Sequence, residues 1–388
     1  MKKRVAVLGA TGSIGKSALD VIARGKDHFE LVLLSSHRNG DALAALGRQW
    51  PGAAAVLSGE TGGRERLFAA IADSGADITL NGISGAAGLE PSIAAIEAGS
   101  DIALANKETL VMAGPLVMQL VAEKKVNIIP VDSEHSAVFN LIENLTTNQH
   151  QPTRTEERSL QSTGSCSSCG SWLNEIILTA SGGPFRERSL KEMENVTAKE
   201  ALAHPTWNMG AKITIDSASM ANKGLEVIEA AHLFNVPSEK IKVVIHPQSI
   251  VHSMIRTKDG AVYAQLSRPD MRHPIHAALY WPAVAATDLG RLDFDTALSL
   301  DFFPPDMERF PLLALAYEAV RKGGLYPCVY NAANEAAVAA FLAGRIGFLD
   351  ISRITGYVLD RDWSTKPDDI AAIMEADRQA RIMAEKEF

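Results

Sequence analysis

Short β-branched runs and longer stretches with apolar residues every third or fourth position alternate along the first third of the chain. The runs Val5–Leu8, Leu31–Leu34, Ala54–Leu57, Asp77–Leu80, Asp101–Ala105 and Val126–Val131 predict buried strands. Between them, Lys16–Arg24, Arg64–Ala72, Pro91–Ala98 and Thr109–Glu123 carry helical spacing. Strand and helix in strict alternation predict a doubly wound parallel sheet of about six strands. After Leu145 the pattern stops. Residues 146–171 are polar and end almost in low complexity, which predicts an exposed loop. Strand patterns return at Leu173–Thr179, Lys212–Ile215, Ile241–His246, Ile250–Arg256 and Ala261–Leu266, the last two joined by a turn at Asp259-Gly260. A helix is predicted from Asn222 to about Phe234. From Asp301 the spacing is helical: Pro311–Lys322, Asn331–Ala343, Asp350–Leu359 and Pro367–Glu387, an alanine-rich bundle with no evident chemistry.

Composition narrows the partners. The 388 residues carry a net charge of −8, which argues against nucleic acid or an anionic membrane, so an anionic substrate needs a local cationic pocket. No apolar run approaches a membrane span. The opening Met1-Lys-Lys-Arg-Val-Ala-Val-Leu8 imitates a signal peptide but leads into a glycine motif with no cleavage site, so a first strand is expected. Three cysteines, Cys166, Cys169 and Cys328, suit a reducing cytoplasm. The isolated C-x-x-C pair lacks a second pair or histidines for zinc and is expected to be two thiols in a loop.

Candidate chemistry collects at the predicted strand ends, where open α/β sheets bind ligands. Gly9-Ala-Thr-Gly12-Ser-Ile-Gly15 follows a strand and opens a helix, as a dinucleotide pyrophosphate site requires, giving a Rossmann-like reading for this part. The second strand ends in Ser35-Ser-His37-Arg38-Asn39 where an NAD site places an acid, so NADP is expected. Lys107 stands at the fifth strand end, where a cation is disfavoured by the helix that follows. Asp132-Ser-Glu134-His135 ends the sixth. Either Asp132 or Ser133 caps the next helix, or Asp132 and Glu134 face one ion. Asn222 and Glu226 share a helix face with Lys223 beside it. Ser217, Asn222 and Lys223 can donate to a phosphate and Glu226 can be a third carboxylate, although a capped amphipathic helix explains the same spacing. Gly182–Gly210, with Trp207 among polar residues, is read as a lid, the alternative being a tryptophan packed in a core.

In this order, Gly9–Gly15, Leu104-Ala-Asn-Lys-Glu108, Pro130-Val-Asp-Ser-Glu-His135, Ser181-Gly-Gly-Pro-Phe185, His204-Pro-Thr-Trp207, Asn222-Lys-Gly-Leu-Glu226 and Ile245-His-Pro-Gln-Ser249 closely resemble the 1-deoxy-D-xylulose 5-phosphate reductoisomerase family. The resemblance covers the whole chain except 146–172, and Ala10 stands where many members have serine. It implies an NADPH-dependent enzyme of isoprenoid-precursor synthesis. Such an enzyme rearranges deoxyxylulose phosphate and reduces the resulting aldehyde to 2-C-methyl-D-erythritol 4-phosphate. It implies Mg²⁺ or Mn²⁺ on Asp132, Glu134 and Glu226, an all-oxygen set suited to a hard cation. The substrate phosphate falls to Ser181, Ser217, Asn222, Lys223 and the loop of His204, with Lys107 and Ser133 near the substrate hydroxyls. Cofactor contacts carry over to Thr11, Gly12, Ser13, Ile14, Asn39, Asn106, Glu108 and Gly210. The expected fold is α/β, with a Rossmann-like doubly wound sheet (1–145), a central α+β catalytic and dimerisation domain (146–275), a linker (276–300) and a C-terminal helical bundle (301–388). The implied assembly is a homodimer, acting in the cytoplasm on a small sugar phosphate. Two other functions compete: an NADP-dependent semialdehyde or acyl-phosphate reductase, which needs a thiolate nucleophile, and a non-catalytic NADP sensor, which needs no carboxylate trio.

Overall fold

The computed structural model describes residues 1–149, 172–207 and 209–388, with 147–149 as backbone only. Of the loop expected at 146–171, residues 146–149 are instead the last residues of a helix, and 150–171, with Cys166 and Cys169, lie outside the described residues. The rest divides into two compact units, neither of them a single run of sequence.

The first unit comprises Met1–Thr109, 117–149 and Asp270–Gly290. It alternates β1 (Lys3–Leu8), α1 (Ser13–Arg24), β2 (Phe29–Ser36), α2 (Gly40–Gln49), β3 (Ala54–Leu57), α3 (Gly63–Asp73), β4 (Ile78–Asn81), α4 (Leu89–Glu97), β5 (Asp101–Leu104), α5 (Glu108–Lys124), β6 (Ile128–Pro130) and α6 (Ser133–Gln149). The six strands are parallel in the order β3-β2-β1-β4-β5-β6. Order reverses between β1 and β4, which places the ligand crevice of such a sheet at their carboxyl ends. Val5, Val7, Leu34, Leu80 and Ala103 are fully buried, as a sheet covered on both faces requires. Helix α5 is kinked: Ala113 leaves helical geometry and Pro115 removes a backbone donor. Its middle, Leu110–Leu116, belongs to the other unit.

Residues 276–280, within the expected linker, are the end of a helix, α11 (Arg272–Tyr280). Its Ile275, Ala278 and Leu279 are buried in the same core as Ala18 and Ile22 of α1. Lys3 Nζ ties its end by donating to the carbonyls of Leu279 (2.9 Å) and Trp281 (2.7 Å). The apolar face of α11 is short, and tertiary packing rather than propensity stabilises it.

The second unit comprises Leu110–Leu116, 172–269 and Arg291–Phe388. Its sheet has the order β10-β9-β7-β8, from β7 (Leu173–Ala180), β8 (Ile241–Ile245), β9 (Val251–Thr257) and β10 (Val262–Leu266). Pairing is antiparallel except for β7 with β8. Two short helices, α7 (Leu190–Met193) and α8 (Ala198–Ala201), precede α9 (Ala211–Ala218) and α10 (Ala221–Leu233). The bundle is α12 (Pro311–Lys322), α13 (Tyr326–Leu342), α14 (Asp350–Leu359) and α15 (Ile370–Glu385).

One expected strand is corrected. Lys212–Ile215 lies inside α9, although Ile213, Thr214 and Ile215 are β-branched. Lys212 and Asp216, four apart and 2.9 Å from each other, support a helix. Thr214 and Ile215 bury their side chains in that conformation. Burial outweighs a propensity of a few tenths of a kcal/mol per residue.

His246, at the end of the predicted strand Ile241–His246, has a structural role. Its Nδ1 lies 2.9 Å from the Asp301 carbonyl, and its Nε2 accepts from the Ile250 and Val251 amides. Gln248 Nε2 donates to Asp301 at 2.5 Å. Together they hold Asp301–Phe303 beside the edge of β8, where Ile245 and Phe303 exchange both backbone hydrogen bonds. His252 lies 2.8 Å from the Ser267 hydroxyl.

Candidate active site

In the first unit the glycine loop is built for close approach. Gly9 has φ +77°, and a Cβ on it would meet the Gly82 carbonyl oxygen at 2.8 Å. A Cβ on Gly15 would fall 2.4 Å from the Gly9 oxygen, so the first turn of α1 packs directly on the loop. Ala10 is fully buried, so a small side chain fits there. No side chain caps α1, whose N-cap is the exposed Gly12, and Ser13 beside it is exposed too. Ile14 packs against Gly82. An uncapped helix N-terminus beyond a glycine turn fits a pyrophosphate.

Thr11 shares a hydrogen bond of 2.8 Å with Ser36 at the end of β2. His37 and Arg38 follow, both exposed, with His37 Nδ1 3.3 Å from the Ser58 hydroxyl. Asn39 caps α2, its Oδ1 accepting from the Ala42 amide at 3.0 Å. No acid stands at this strand end.

Asn106 is buried and fully engaged. Its Nδ2 donates toward the Ile83 and Gly85 carbonyls and toward Glu108, and its Oδ1 accepts from the Thr109 amide and hydroxyl. Asn81 extends the network by donating to the Gly88 carbonyl and Ser92. The loop after β4 and the start of α5 are thereby held at one geometry, which presents Lys107 and Glu108 from a rigid base.

Lys107 is buried and reaches the adjacent strand end. Its Nζ donates to Asp132 Oδ2 at 2.9 Å. Asp132 Oδ1 accepts from the amides of Glu134 (3.0 Å) and His135 (3.2 Å), so Asp132 does cap α6. The same carboxylate thus caps a helix and pairs with a cation, and the cap fixes its rotamer. Ser133 donates to Glu134 Oε2 at 2.5 Å. His135 is fully buried behind them, 3.4 Å from Asp132.

In the second unit Ser181 Oγ lies 3.0 Å from His204 Nε2, while His204 Nδ1 accepts from the Thr206 and Trp207 amides. An Nδ1 that accepts leaves the proton on Nε2, so a neutral His204 donates to Ser181. Burial holds its pKa below the usual histidine value. Gly183 has φ +66°, and its Cβ would meet the Ser217 carbonyl oxygen at 2.7 Å, so the Ser181 loop packs on the Ser217 turn. Helix α10 follows at once, with Met220 at φ +64° between them. On it Asn222 donates to Glu226 at 2.5 Å, and Lys223 pairs with the other oxygen of Glu226. Glu226 and Lys223 are both buried. Trp207 is half-buried and Gly210, the N-cap of α9, is exposed.

The Gly182–Gly210 segment is better anchored than its sequence suggests. Phe185 is buried edge-on against Phe348 at 5.0 Å, and Met193, Val196 and Ala201 are buried. Arg309 donates to the Arg188 carbonyl at 2.7 Å. Capping boxes at Ser189 and Thr197 start α7 and α8. What remains of the expected lid is the stretch after α8, where Leu202 is 40% exposed and Pro205 and Thr206 lie open. Cys328 is buried and burial pushes its thiol pKa far up, which removes it as a nucleophile.

Three family models match in sequence: 1-deoxy-D-xylulose 5-phosphate reductoisomerase at residues 5–62 and 53–114, its C-terminal domain at 128–234, and the DXP reductoisomerase C-terminal domain at 266–383. Relatives carrying the reductoisomerase name include proteins of Chlorobium chlorochromatii, 47% identical with 98% of both chains covered. Another, from Trichlorobacter lovleyi, is 48% identical over 98% of this chain and 96% of its own. Among solved structures, the Zymomonas mobilis reductoisomerase in complex with NADPH matches with a TM-score of 0.86 at 42% identity, covering 100% and 99% of the two chains. A DOX-P reductoisomerase in complex with NADPH, fosmidomycin and magnesium matches with a TM-score of 0.87 at 36% identity, covering 99% and 98%. Matches of this extent, along nearly the whole chain, place it in the 1-deoxy-D-xylulose 5-phosphate reductoisomerase family.

Proposed function

We propose that the protein converts 1-deoxy-D-xylulose 5-phosphate to 2-C-methyl-D-erythritol 4-phosphate with NADPH and a divalent cation, Mg²⁺ or Mn²⁺. The observation that carries it is the Lys107–Asp132 pair at neighbouring strand ends, on the sheet edge that also bears the glycine loop. It stands in a chain matched to the family along its length. NADPH would use Gly9 to Gly15, with His37 and Arg38 toward the 2′-phosphate and Asn39, Asn106, Glu108 and Gly210 around the rest. The metal would take Asp132, Glu134 and Glu226, all carboxylates, as a hard cation prefers. When bound, the ion supplies Lewis acidity to the substrate oxygens and NADPH supplies the hydride.

The chain's own residues do the positioning. The α6 cap sets Asp132, and Asn222 and Lys223 set Glu226, so the acceptors are aligned before any ligand arrives. Lys107 and Lys223 each balance a carboxylate. Lys107 and Ser133 would then meet the substrate hydroxyls, and Ser181, His204, Ser217, Asn222 and Lys223 its phosphate. His204, neutral and donating through Nε2, would serve as a hydrogen-bond donor to the phosphate rather than as a fixed charge. Trp207 would cover the bound substrate.

Two relations of the molecule belong to the same reading. A homodimer is supported by an apolar surface in the second unit: Leu298, Leu300, Phe302, Phe303 and Met307 are all 37% or more exposed. A cytoplasmic location is supported by the small cysteine count, and among the described residues no helix is long and apolar enough to cross a membrane.

The test is incubation with NADPH, Mn²⁺ and deoxyxylulose phosphate, following the loss of NADPH absorbance and identifying the product. Methylerythritol phosphate formed only with metal supports the proposal. NADPH oxidation that is indifferent to metal, or another product, overturns it.

A further inference from the structure

The helical bundle contains a chain of charges that ends at the Ser217 turn. Asp216, 1% exposed and next to Ser217, accepts from Asn334 Nδ2 at 2.7 Å. Its other oxygen lies 2.9 Å from Lys212 Nζ, and that ammonium lies 3.8 Å from Glu335 Oε1. Asn331 also donates to Glu335 Oε1, at 3.3 Å. Glu335 Oε2 accepts from Arg381 at 2.6 Å, and Arg381 reaches Asp377 at 2.7 Å. Asn334 and Glu335, neighbours on α13, thus grip α9 on one side and α15 on the other.

The charge balance singles out Glu335. Lys212–Asp216 and Arg381–Asp377 are each a neutral pair within one helix, four residues apart. Glu335, only 14% exposed, adds a third carboxylate that bridges the two cations. Desolvation offsets much of the attraction in a partly buried ion pair, so its presence is weak evidence for stability, and the geometry it imposes is a second reason for keeping one. Burial opposes the charge on Arg381, but its bonds to Asp377 and the attraction of Glu335 outweigh that and hold its proton more tightly. The Ser181 loop packs through Gly183 on the Ser217 carbonyl, so any shift of α9 is passed to that loop.

We propose that Asn334 and Glu335 are positioning residues that hold the Ser217 turn, and through it the Ser181 loop, at the geometry the substrate phosphate requires. The inference rests on the reading of Ser217 as a phosphate contact, and the experiment separates the two. Wild type, Ser217→Ala, Asn334→Ala, Glu335→Gln and Glu335→Asp are compared in the full-length holoenzyme for KM of the sugar phosphate, kcat, NADPH affinity and Tm. Displacing a packed network should raise KM for the sugar phosphate roughly 3- to 30-fold in Glu335→Gln and Asn334→Ala. NADPH affinity should stay unchanged, and Glu335→Asp should recover part of the loss. A merely structural role would lower Tm and the active fraction at constant KM, and that result overturns the proposal. If Glu335→Gln does not fold, Glu335→Asp decides by the same criterion: a raised KM supports the proposal and an unchanged one overturns it. If Ser217→Ala itself keeps a normal KM, the phosphate reading fails and the positioning role falls with it. If Ser217→Ala raises KM while folded Asn334 and Glu335 variants do not, only the positioning role fails.

Discussion

At the scale of single residues, lysines do much of the preparatory work. Asp132 is paired with Lys107 and Glu226 with Lys223, each within its own unit. Glu226→Gln removes one anionic oxygen from the proposed metal set while leaving the NADPH loop untouched. Turnover should fall by two orders of magnitude or more, the usual scale for loss of an electrostatic group at a reacting centre. Tight binding of NADPH should persist, as fluorescence titration would show. Near-normal activity across a metal titration would remove Glu226 from the site. Arg38 is exposed and its proposed phosphate contact is open to solvent. Arg38→Ala should therefore weaken NADPH about tenfold, the lower end for a charge-assisted contact, and leave NADH nearly unchanged. Equal losses for both cofactors would show that Arg38 does not read the 2′-phosphate.

At the scale of elements, the Gly182–Gly210 segment has two halves with different physics. The first is anchored by Phe185, Met193 and Val196 and by two capping boxes, so Arg186, Arg188 and Lys191 should resist trypsin with or without ligand. The stretch after α8 presents exposed Leu202 and half-buried Trp207. Chymotrypsin should cut there in the apo protein and more slowly with NADPH, Mn²⁺ and a substrate analogue. Equal cutting in both states would make it a fixed wall, and preferential tryptic cutting near Arg188 would restore the longer lid. Helix α10 carries a separate signal. His232 in its last turn is packed against Gly114, and burial lowers its pKa to about 4. The unfolded chain takes up that proton more readily, so the contribution is complete above about pH 6.5 and is lost as the pH falls toward 4. It amounts to about 3 kcal/mol. Urea unfolding at a series of pH values should show this loss, and His232→Asn should flatten the dependence in that window. An unchanged slope would mean that His232 titrates normally.

At the scale of the whole molecule, the unit that bears Glu226 also bears an exposed apolar run from Leu298 to Met307, beside the segment pinned by His246 and Gln248. Phe303 is 52% exposed, yet its backbone pairs with Ile245, so its side chain is held in place on the surface. The proposed dimer predicts a sedimentation mass of twice 41.6 kDa for the wild type. Phe303→Glu should shift it toward the single-chain mass without altering the backbone pairing, because only the side chain faces outward. A wild type that sediments at 41.6 kDa at every concentration would exclude the dimer.

Sequence alone determined what local pattern can encode. The six strands and their order of appearance followed from alternation, and the glycine loop followed from a turn that only glycine can make. The strand-end positions of Lys107, Asp132 and Glu134 were legible because side-chain placement at the end of a buried strand is a local matter. Resemblance to a known family supplied Ser181 and the cofactor role of Asn106, which no spacing rule picks out. Tertiary structure decided what depends on distant neighbours. It made Lys212–Ile215 helical against its β-branched residues, because burial there is worth more than propensity. It turned part of the expected linker into α11, whose apolar face is worth nothing until α1 covers it. It made Asp132 the cap of α6 and at the same time the partner of Lys107, a pairing with the preceding strand end that the sequence reading did not foresee. It also gave the alanine-rich bundle a chemical role in prospect. Asn334 and Glu335 lie 118 and 123 residues beyond Asp216 and Lys212, a separation that no window along the chain can span.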